Sequence, residues 1–193
     1  MADKKVVLIV CGDVDVNAAG SVMQKFLKKS VPFTNFDPAG AVAEAAKIEG
    51  AATVAADGVA KAFEDDGAFA IVDLGAVDPA GLESAMTQIS DAADRRTLIA
   101  LATGKALYLG GLGMNKKADN VERSVRAADI VATICYVADL NVPADCTGAI
   151  IYQALKDPNM KLKEIAKLKE AIGRMEAALQ RDTREPWDKH DCA

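Results

Sequence analysis

The chain has very few of the side chains that metalloenzymes and nucleic-acid-binding proteins depend on. Among its 193 residues there is one histidine, His190, and aromatic residues make up only 5%. So few aromatics argue against a stacking platform for single-stranded nucleic acid. A formal net charge of -5 and a pI near 5.0 argue against an electrostatic surface for DNA or RNA. We therefore expect no nucleic-acid partner.

Cysteine is also scarce, and its four copies are scattered without a CxxC pair, at Cys11, Cys135, Cys146 and Cys192. Zinc sites and disulfide frameworks usually show closer or more regular spacing. Cys11 and Cys135 lie in apolar runs and are predicted to be small core residues. Asp188, His190 and Cys192 form a short polar cluster near the end of the chain, which is a weak signal for a metal site.

Long hydrophobic runs are absent too, since no stretch approaches the roughly 20 apolar residues needed to span a bilayer. The apolar run at residues 6–11 follows two lysines but is shorter than the core of a signal peptide. It ends at Gly12 and Asp13 rather than at a small-residue cleavage site. These features predict a cytoplasmic protein with no membrane partner.

The remaining composition, 51% apolar and 26% charged, is that of a folded protein. Continuous apolar runs predict strands buried on both faces of a parallel sheet. Predicted strands cover residues 6–11, 68–75, 97–103 and 106–113, and predicted helices cover 17–29, 41–49, 57–66, 78–94, 147–155 and 160–182. Residues 30–40 are predicted to form a loop. Alternating strands and helices indicate an α/β protein in which helices flank a mostly parallel sheet.

The last predicted helix carries a narrow apolar seam at Ile165, Leu168, Ile172, Met175 and Leu179. Spacings of 3 and 4 residues are the a/d pattern of paired helices. We expect this seam to be buried either on the chain's own domain or in a homodimer, with Gly173 allowing close approach of a neighbouring backbone. The expected organisation is an α/β domain at 1–157, a C-terminal helix at 158–182 and a tail at 183–193.

Four segments resemble, in order, the alkaline phosphatase superfamily of phosphatases, sulfatases, phosphodiesterases and metal-dependent phosphoglycerate mutases. They are KKVVLIVCGD, SVMQKFLKKSVPFTNF, FAIVDLGAVDPAGL and RSVRAADIVATICYVADLNVPADCTG. The last is the most specific, with Asp129, Thr133, Pro143, Asp145 and Gly148 in register with the family pattern. This resemblance implies a three-layer alkaline phosphatase-like core, although family catalytic domains are typically about twice this length.

The resemblance also implies two divalent metals, usually zinc or manganese, which activate a Ser or Thr nucleophile at the carboxyl edge of the sheet. The expected ligands are largely missing here. The first strand ends in Cys11-Gly12-Asp13, Leu82 replaces the histidine of an Asp-x-x-Gly-His motif that begins at Asp78, and ATGKA replaces a later Asp-His-Gly. A carboxylate-only magnesium or manganese site at Asp13, Asp73 and Asp78 stays open, as does a role as turn residues or helix caps. Leu82 is expected to be a buried apolar plug.

Other candidate groups have a functional and a structural interpretation, and the structural one is favoured. Thr34 and Ser21 lie near the family's nucleophile region but have no histidine base, so a structural role is favoured for both. Lys105 could clamp an anion or simply be a solvated turn residue. GGLGMNKK at 110–117 lacks the spacing of a phosphate-binding loop.

These observations predict a minimal, non-catalytic alkaline phosphatase-like domain that acts as a binding or interaction protein without a cofactor. Its crevice residues would be Asp13, Asp78 and Lys105, and its ligand a small anion attracted by helix N-termini. The alternative is a phosphoric or sulfuric ester hydrolase with a rearranged magnesium or manganese site.

Overall fold

The computed structural model describes residues 4–65, 67–115 and 122–182, which fall into two units divided between Lys156 and Asp157. The first unit contains strands β1 (Lys5–Cys11), β2 (Ser30–Phe33), β3 (Phe36–Asp37), β4 (Ala51–Thr53), β5 (Phe69–Gly75), β6 (Thr97–Ala102), β7 (Leu107–Gly111) and β8 (Val125–Arg126). Its helices are α1 (Ser21–Leu27), α2 (Ala41–Ala45), α3 (Val59–Glu64), α4 (Pro79–Ala92) and α5 (Ala127–Ala138), and the second unit is helix α6 (Met160–Asp182).

Six of the strands form one sheet in the order β2-β7-β6-β1-β5-β4. β1 pairs in parallel with both β5 and β6, and β4 pairs in parallel with β5. β7 runs antiparallel to β6 and to β2. The prediction of an α/β protein with a mostly parallel sheet, flanked by helices and followed by a C-terminal helix, is confirmed.

The apolar run of β1 is buried on both sides because helices cover both faces of the sheet. Val6 and Leu8 point into a core shared with α2 and α5, while Val7 and Ile9 point into a second core shared with α1, α3 and α4. Alternate side chains of a strand face opposite sides, so a strand that is apolar throughout requires two cores.

Four short strands were missed by the sequence-based prediction, namely β2, β3, β4 and β8. β2 lies within the segment predicted as a loop, and its Pro32 pairs with Tyr108 at the edge of the sheet. Proline cannot donate to a sheet ladder, so it is tolerated on an edge strand but removes the usual strand signal. β4 is only three residues long and carries two alanines, too short a pattern to separate from the neighbouring helices.

Several predicted helices are shorter than expected. The predicted helix at 17–29 is a 3-10 turn at Val16–Ala18 followed by α1, and the one at 41–49 is reduced to α2. The one at 57–66 divides into a 3-10 turn at Ala56–Gly58 and α3. Asp15 caps the first 3-10 turn, since its side chain accepts a hydrogen bond from Asn17 N at 3.0 Å. Extended backbone at Ala19 and Gly20 separates this turn from α1.

The predicted helix at 147–155 is wrong, since only a 3-10 turn at Tyr152–Ala154 forms there. Ala149 N donates instead to Asp129 Oδ1 at 2.7 Å, and Ile151 N donates to Thr133 Oγ1 at 2.9 Å. Asp129 and Thr133 lie one turn apart on α5 and are both buried. These side chains hold residues 149–151 extended. The segment at 123–148, which contains both residues, thus closes the α/β unit.

In α6 the large apolar side chains are exposed, ranging from 48% for Ile165 to 66% for Leu162. Within the part of the chain that the structure describes, no helix combines the length and apolarity needed to cross a bilayer. The tail predicted at 183–193 lies outside the described residues.

Candidate functional site

The carboxyl ends of β1, β5 and β6 meet at one edge of the sheet because these three strands are parallel neighbours. The loops that leave this edge are hydrogen-bonded to each other. Gly12 N donates to Gly75 O at 2.7 Å, and Gly104 N donates to Gly12 O at 3.2 Å. A Cβ at position 104 would lie 3.0 Å from Asp13 N, a tight contact that would push the two loops slightly apart. This edge is where the predicted crevice residues are found.

Asp13 and Lys105 are brought together at this edge as an ion pair between Oδ2 and Nζ. The two side chains are 60% and 76% exposed, respectively. An ion pair so open to water contributes little to stability and is readily exchanged for other partners. The structure thus places a cation and an anion where the sequence predicts a crevice.

Asp78, the third predicted crevice residue, serves as the N-cap of α4. Its Oδ1 accepts a hydrogen bond from Gly81 N at 2.7 Å, and Pro79 takes the first helical position. Asp73 acts in a similar local way, since its Oδ1 accepts from Gly75 N at 3.0 Å. Both carboxylates therefore satisfy backbone N–H groups close to them in the chain.

The metal site implied by the family resemblance does not fit the described residues. Within them, no three His, Cys, Asp or Glu side chains are grouped closely enough to hold one metal ion. Asp13 is paired with Lys105, and Asp73 and Asp78 bond to backbone N–H groups. The cluster of Asp188, His190 and Cys192 lies outside the described residues. We derive no catalytic step through a metal.

The hydroxyl group of Thr103, near this edge, has structural partners. Thr103 is buried, its Oγ1 donates to Ala106 O at 3.1 Å, and it accepts from Ala106 N at 3.0 Å. Ser21 is the first residue of α1, and Thr34 lies in the turn between β2 and β3.

The thiol of Cys11, at the end of β1, is a poor nucleophile near neutral pH. Burial, with a smaller contribution from the charge of Asp73, raises the pKa of this thiol to about 11. Cysteine acts as a nucleophile through its thiolate, which is a minor species far below the pKa. Burial also raises the pKa of Cys135 to about 11. Both residues are buried, as predicted.

Glu83 is an important residue that sequence reasoning missed. Its two carboxylate oxygens accept hydrogen bonds from Val22 N at 2.8 Å and Met23 N at 2.9 Å, at the N-terminus of α1. A side chain at Gly20 would lie 2.6 Å from this carboxylate, so glycine makes room for it. Glu83 lies about sixty positions after Val22 and Met23 in the chain, and local sequence patterns do not show a contact over such a distance.

Glu83 and Asp78 together change the expected electrostatics of the edge. The N-termini of α1 and α4 were expected to attract a small anion. Each now has a carboxylate of the protein itself on its backbone N–H groups. Lys105 carries an exposed cation that an external anion could reach at this edge.

In the glycine-rich loop at 110–117, three backbone N–H groups donate to carbonyl oxygens of the protein. Leu112 N donates to Thr97 O at 2.9 Å, Met114 N to Gly111 O at 3.3 Å, and Asn115 N to Ala154 O at 2.8 Å. A phosphate-binding loop needs such groups free to face its ligand. The described part of this loop acts as a structural turn.

A cleft of about 430 Å³ lies at the opposite edge of the sheet, where β6 begins and β7 ends. Val22, Phe26 and Ile99 contribute to its apolar lining, and Lys25 and Lys29 also line it. Phe26 lies against Gly110, where an added Cβ would approach its ring to 2.7 Å. None of the predicted crevice residues lines this cleft.

These features define an α/β protein whose sheet edge carries one exposed ion pair and several internally bound carboxylates. In comparisons with known proteins, no family model, no curated protein and no solved structure matches the chain significantly.

Proposed function

We propose that the chain is a minimal, non-catalytic member of the alkaline phosphatase-like fold that acts as a binding or interaction protein. The α/β architecture, with a mostly parallel sheet between two layers of helices, supports the fold assignment. The three free cysteines among the described residues fit the reducing cytoplasm, which we propose as its location.

The observation that carries this function is the internal use of the carboxylates at the carboxyl edge of the sheet. In a two-metal hydrolase such carboxylates neutralise and position the cations. Here Asp13 binds Lys105, Asp78 caps α4, and Glu83 caps α1. Asp78 and Glu83 stabilise helix ends, and the exposed Asp13–Lys105 ion pair is the feature available to a ligand.

We expect the protein as purified to contain no stoichiometric zinc and to hydrolyse neither aryl phosphates nor aryl sulfates. The reason is that one histidine and scattered cysteines do not supply two sets of zinc ligands. Elemental analysis, followed by assays with added magnesium or manganese, measures both properties. Two zinc ions per chain would contradict the proposal, and hydrolysis lost in both Asp13→Asn and Asp73→Asn would establish the alternative hydrolase with a carboxylate metal site.

The proposed ligand is a small anion bound at Lys105 in competition with Asp13. Because the Lys105–Asp13 pair is exposed on both sides, exchanging its carboxylate for an external anion costs little. Removing the competing carboxylate should therefore strengthen binding, whereas removing the lysine should abolish it.

Titration of inorganic phosphate, followed by amide chemical shifts of Gly12 and Gly104, tests this proposal. Asp13→Asn is expected to bind phosphate several-fold more tightly than the unmodified chain, and Lys105→Ala is expected not to bind it at this edge. Lys25→Ala removes a lysine from the opposite edge and serves as the matched control. Equal binding by all four proteins would show that phosphate responds only to general surface charge.

A further inference from the structure

The helix α6 exposes a row of large apolar side chains along most of its 23 residues. Leu168, Ile172, Met175 and Leu179 are 63%, 51%, 59% and 65% exposed, respectively. Clusters of this kind on soluble proteins mark interaction surfaces. The spacing of these residues, alternately 4 and 3, keeps them in one narrow stripe, which is the geometry of two helices packed along their length.

We propose that this stripe, defined as Leu168, Ile172, Met175 and Leu179, binds the same stripe of a second copy of the chain in antiparallel orientation. In this arrangement Ile172 packs beside Met175 of the other copy, and Leu168 packs beside Leu179. The two-fold axis passes between residues 173 and 174, so each contact occurs twice. This inference is independent of any ligand at Lys105.

Charges beside the stripe are complementary in this orientation. Lys169 follows Leu168, and Glu176 follows Met175, one seven-residue repeat later. Lys169 and Glu176 therefore occupy equivalent flanking positions beside the stripe. Equivalent flanking positions face each other across an antiparallel pair, so Lys169 of each copy meets Glu176 of the other. The pairing thus brings together two opposite-charge pairs that are related by the two-fold axis.

The other flank of the stripe is shaped for close packing. Ala171 and Ala178 occupy its equivalent positions and face each other across the antiparallel pair. Small residues on this side let the two backbones approach. A Cβ added at Gly173 would meet nothing within 4 Å beyond its own helix backbone, and the residue lies on the outer side, about 130° around the helix from the stripe. In the proposed pair Gly173 is therefore not the residue that lets the backbones approach.

Antiparallel registers shifted by one heptad are less favourable electrostatically. A shift by one heptad in one direction brings the two Lys169 side chains together, and a shift in the other direction brings the two Glu176 side chains together. In a parallel pair Lys169 would face Glu164, and Glu176 would face Ala171. Glu176 therefore distinguishes the antiparallel arrangement, because it has a charged partner only there.

Sedimentation of the full chain at about 50 µM, with charge-reversal variants, tests the proposal. The unmodified chain is expected to be dimeric, and Lys169→Glu and Glu176→Lys are each expected to weaken the dimer about tenfold, because each converts two attractive pairs into repulsive ones. The double variant restores both pairs and the affinity. An equimolar mixture of the two single variants is expected to form heterodimers, since all charged flanks are then complementary.

Two further variants separate the proposal from its competitors. Ile172→Glu with Met175→Glu is expected to give monomers whose α/β unit stays folded, as judged by circular dichroism. Gly173→Ala, on the outer face, is the matched control and is expected to leave the dimer intact. An unmodified chain that is monomeric at this concentration overturns the proposal, as does a dimer that survives the Ile172 and Met175 changes. A Glu176→Lys variant that pairs normally overturns the antiparallel orientation.

Discussion

Replacing Asp129 with alanine is expected to lower the free energy of unfolding by about 2–4 kcal/mol, because a buried carboxylate that binds two backbone N–H groups would be lost. Asp129 Oδ2 accepts from Arg126 N at 3.0 Å and caps α5, while Oδ1 accepts from Ala149 N at 2.7 Å. Without it, α5 loses its cap and the segment after Gly148 loses one of its attachments. Chemical denaturation monitored by circular dichroism measures the change.

Asp145 provides the control for Asp129, since both belong to the segment RSVRAADIVATICYVADLNVPADCTG at 123–148. Its carboxylate is exposed and pairs with Lys47 at 2.8 Å. Asp145→Ala is therefore expected to leave the denaturation midpoint unchanged within error. Thr133→Val removes the acceptor for Ile151 N and should cost about 1–2 kcal/mol. Equal effects of Asp129→Ala and Asp145→Ala would contradict the structural role assigned to this motif.

Leu82→Ala is expected to cost about 2–5 kcal/mol, through lost burial and the cavity left behind. Leu82 is fully buried, as predicted from the sequence. It packs in the core between the sheet and α4, together with Met86 and Ile89. Thermal or urea denaturation gives the magnitude, and the fold is expected to persist because the rest of that core remains.

Two other variants on α4 calibrate this effect. Leu82→Met nearly conserves volume and should cost less than about 1.5 kcal/mol. Gln88→Ala changes an exposed position of the same helix and should stay within about 0.5 kcal/mol of the unmodified chain. A loss for Leu82→Ala no larger than that for Gln88→Ala would refute the assignment of Leu82 as a core residue.

Parts of the candidate site could be predicted from local sequence alone. Asp78 before Pro79 predicts a helix cap, and the structure shows that cap. The position of Lys105 after an apolar strand predicts a turn at the sheet edge, which is where it lies. Such predictions succeed because the interactions involved span only a few residues. The pairing of Lys105 with Asp13 needs strands β1 and β6 to be neighbours, and a single sequence does not show which strands are adjacent.

The segment after α5 shows why local patterns fail elsewhere. Residues 147–155 have a composition compatible with a helix, but Asp129 and Thr133 take the N–H groups of Ala149 and Ile151. A short helix is marginal in water, so two buried hydrogen bonds from another element are sufficient to prevent it. The start of α1 was decided in a similar way by Glu83, from about sixty residues further along the chain.

The sequence by itself determined that this chain forms an α/β protein, because the apolar runs of β1, β5 and β6 are stable only as strands covered on both faces. It also determined the narrow apolar stripe of α6, whose spacing is a property of the chain. Only the tertiary structure decided that Pro32 lies in an edge strand, that Glu83 caps α1, and that Asp13 binds Lys105. These contacts join residues that are far apart in the chain, so their partners are set by the packing of the whole domain rather than by local preference.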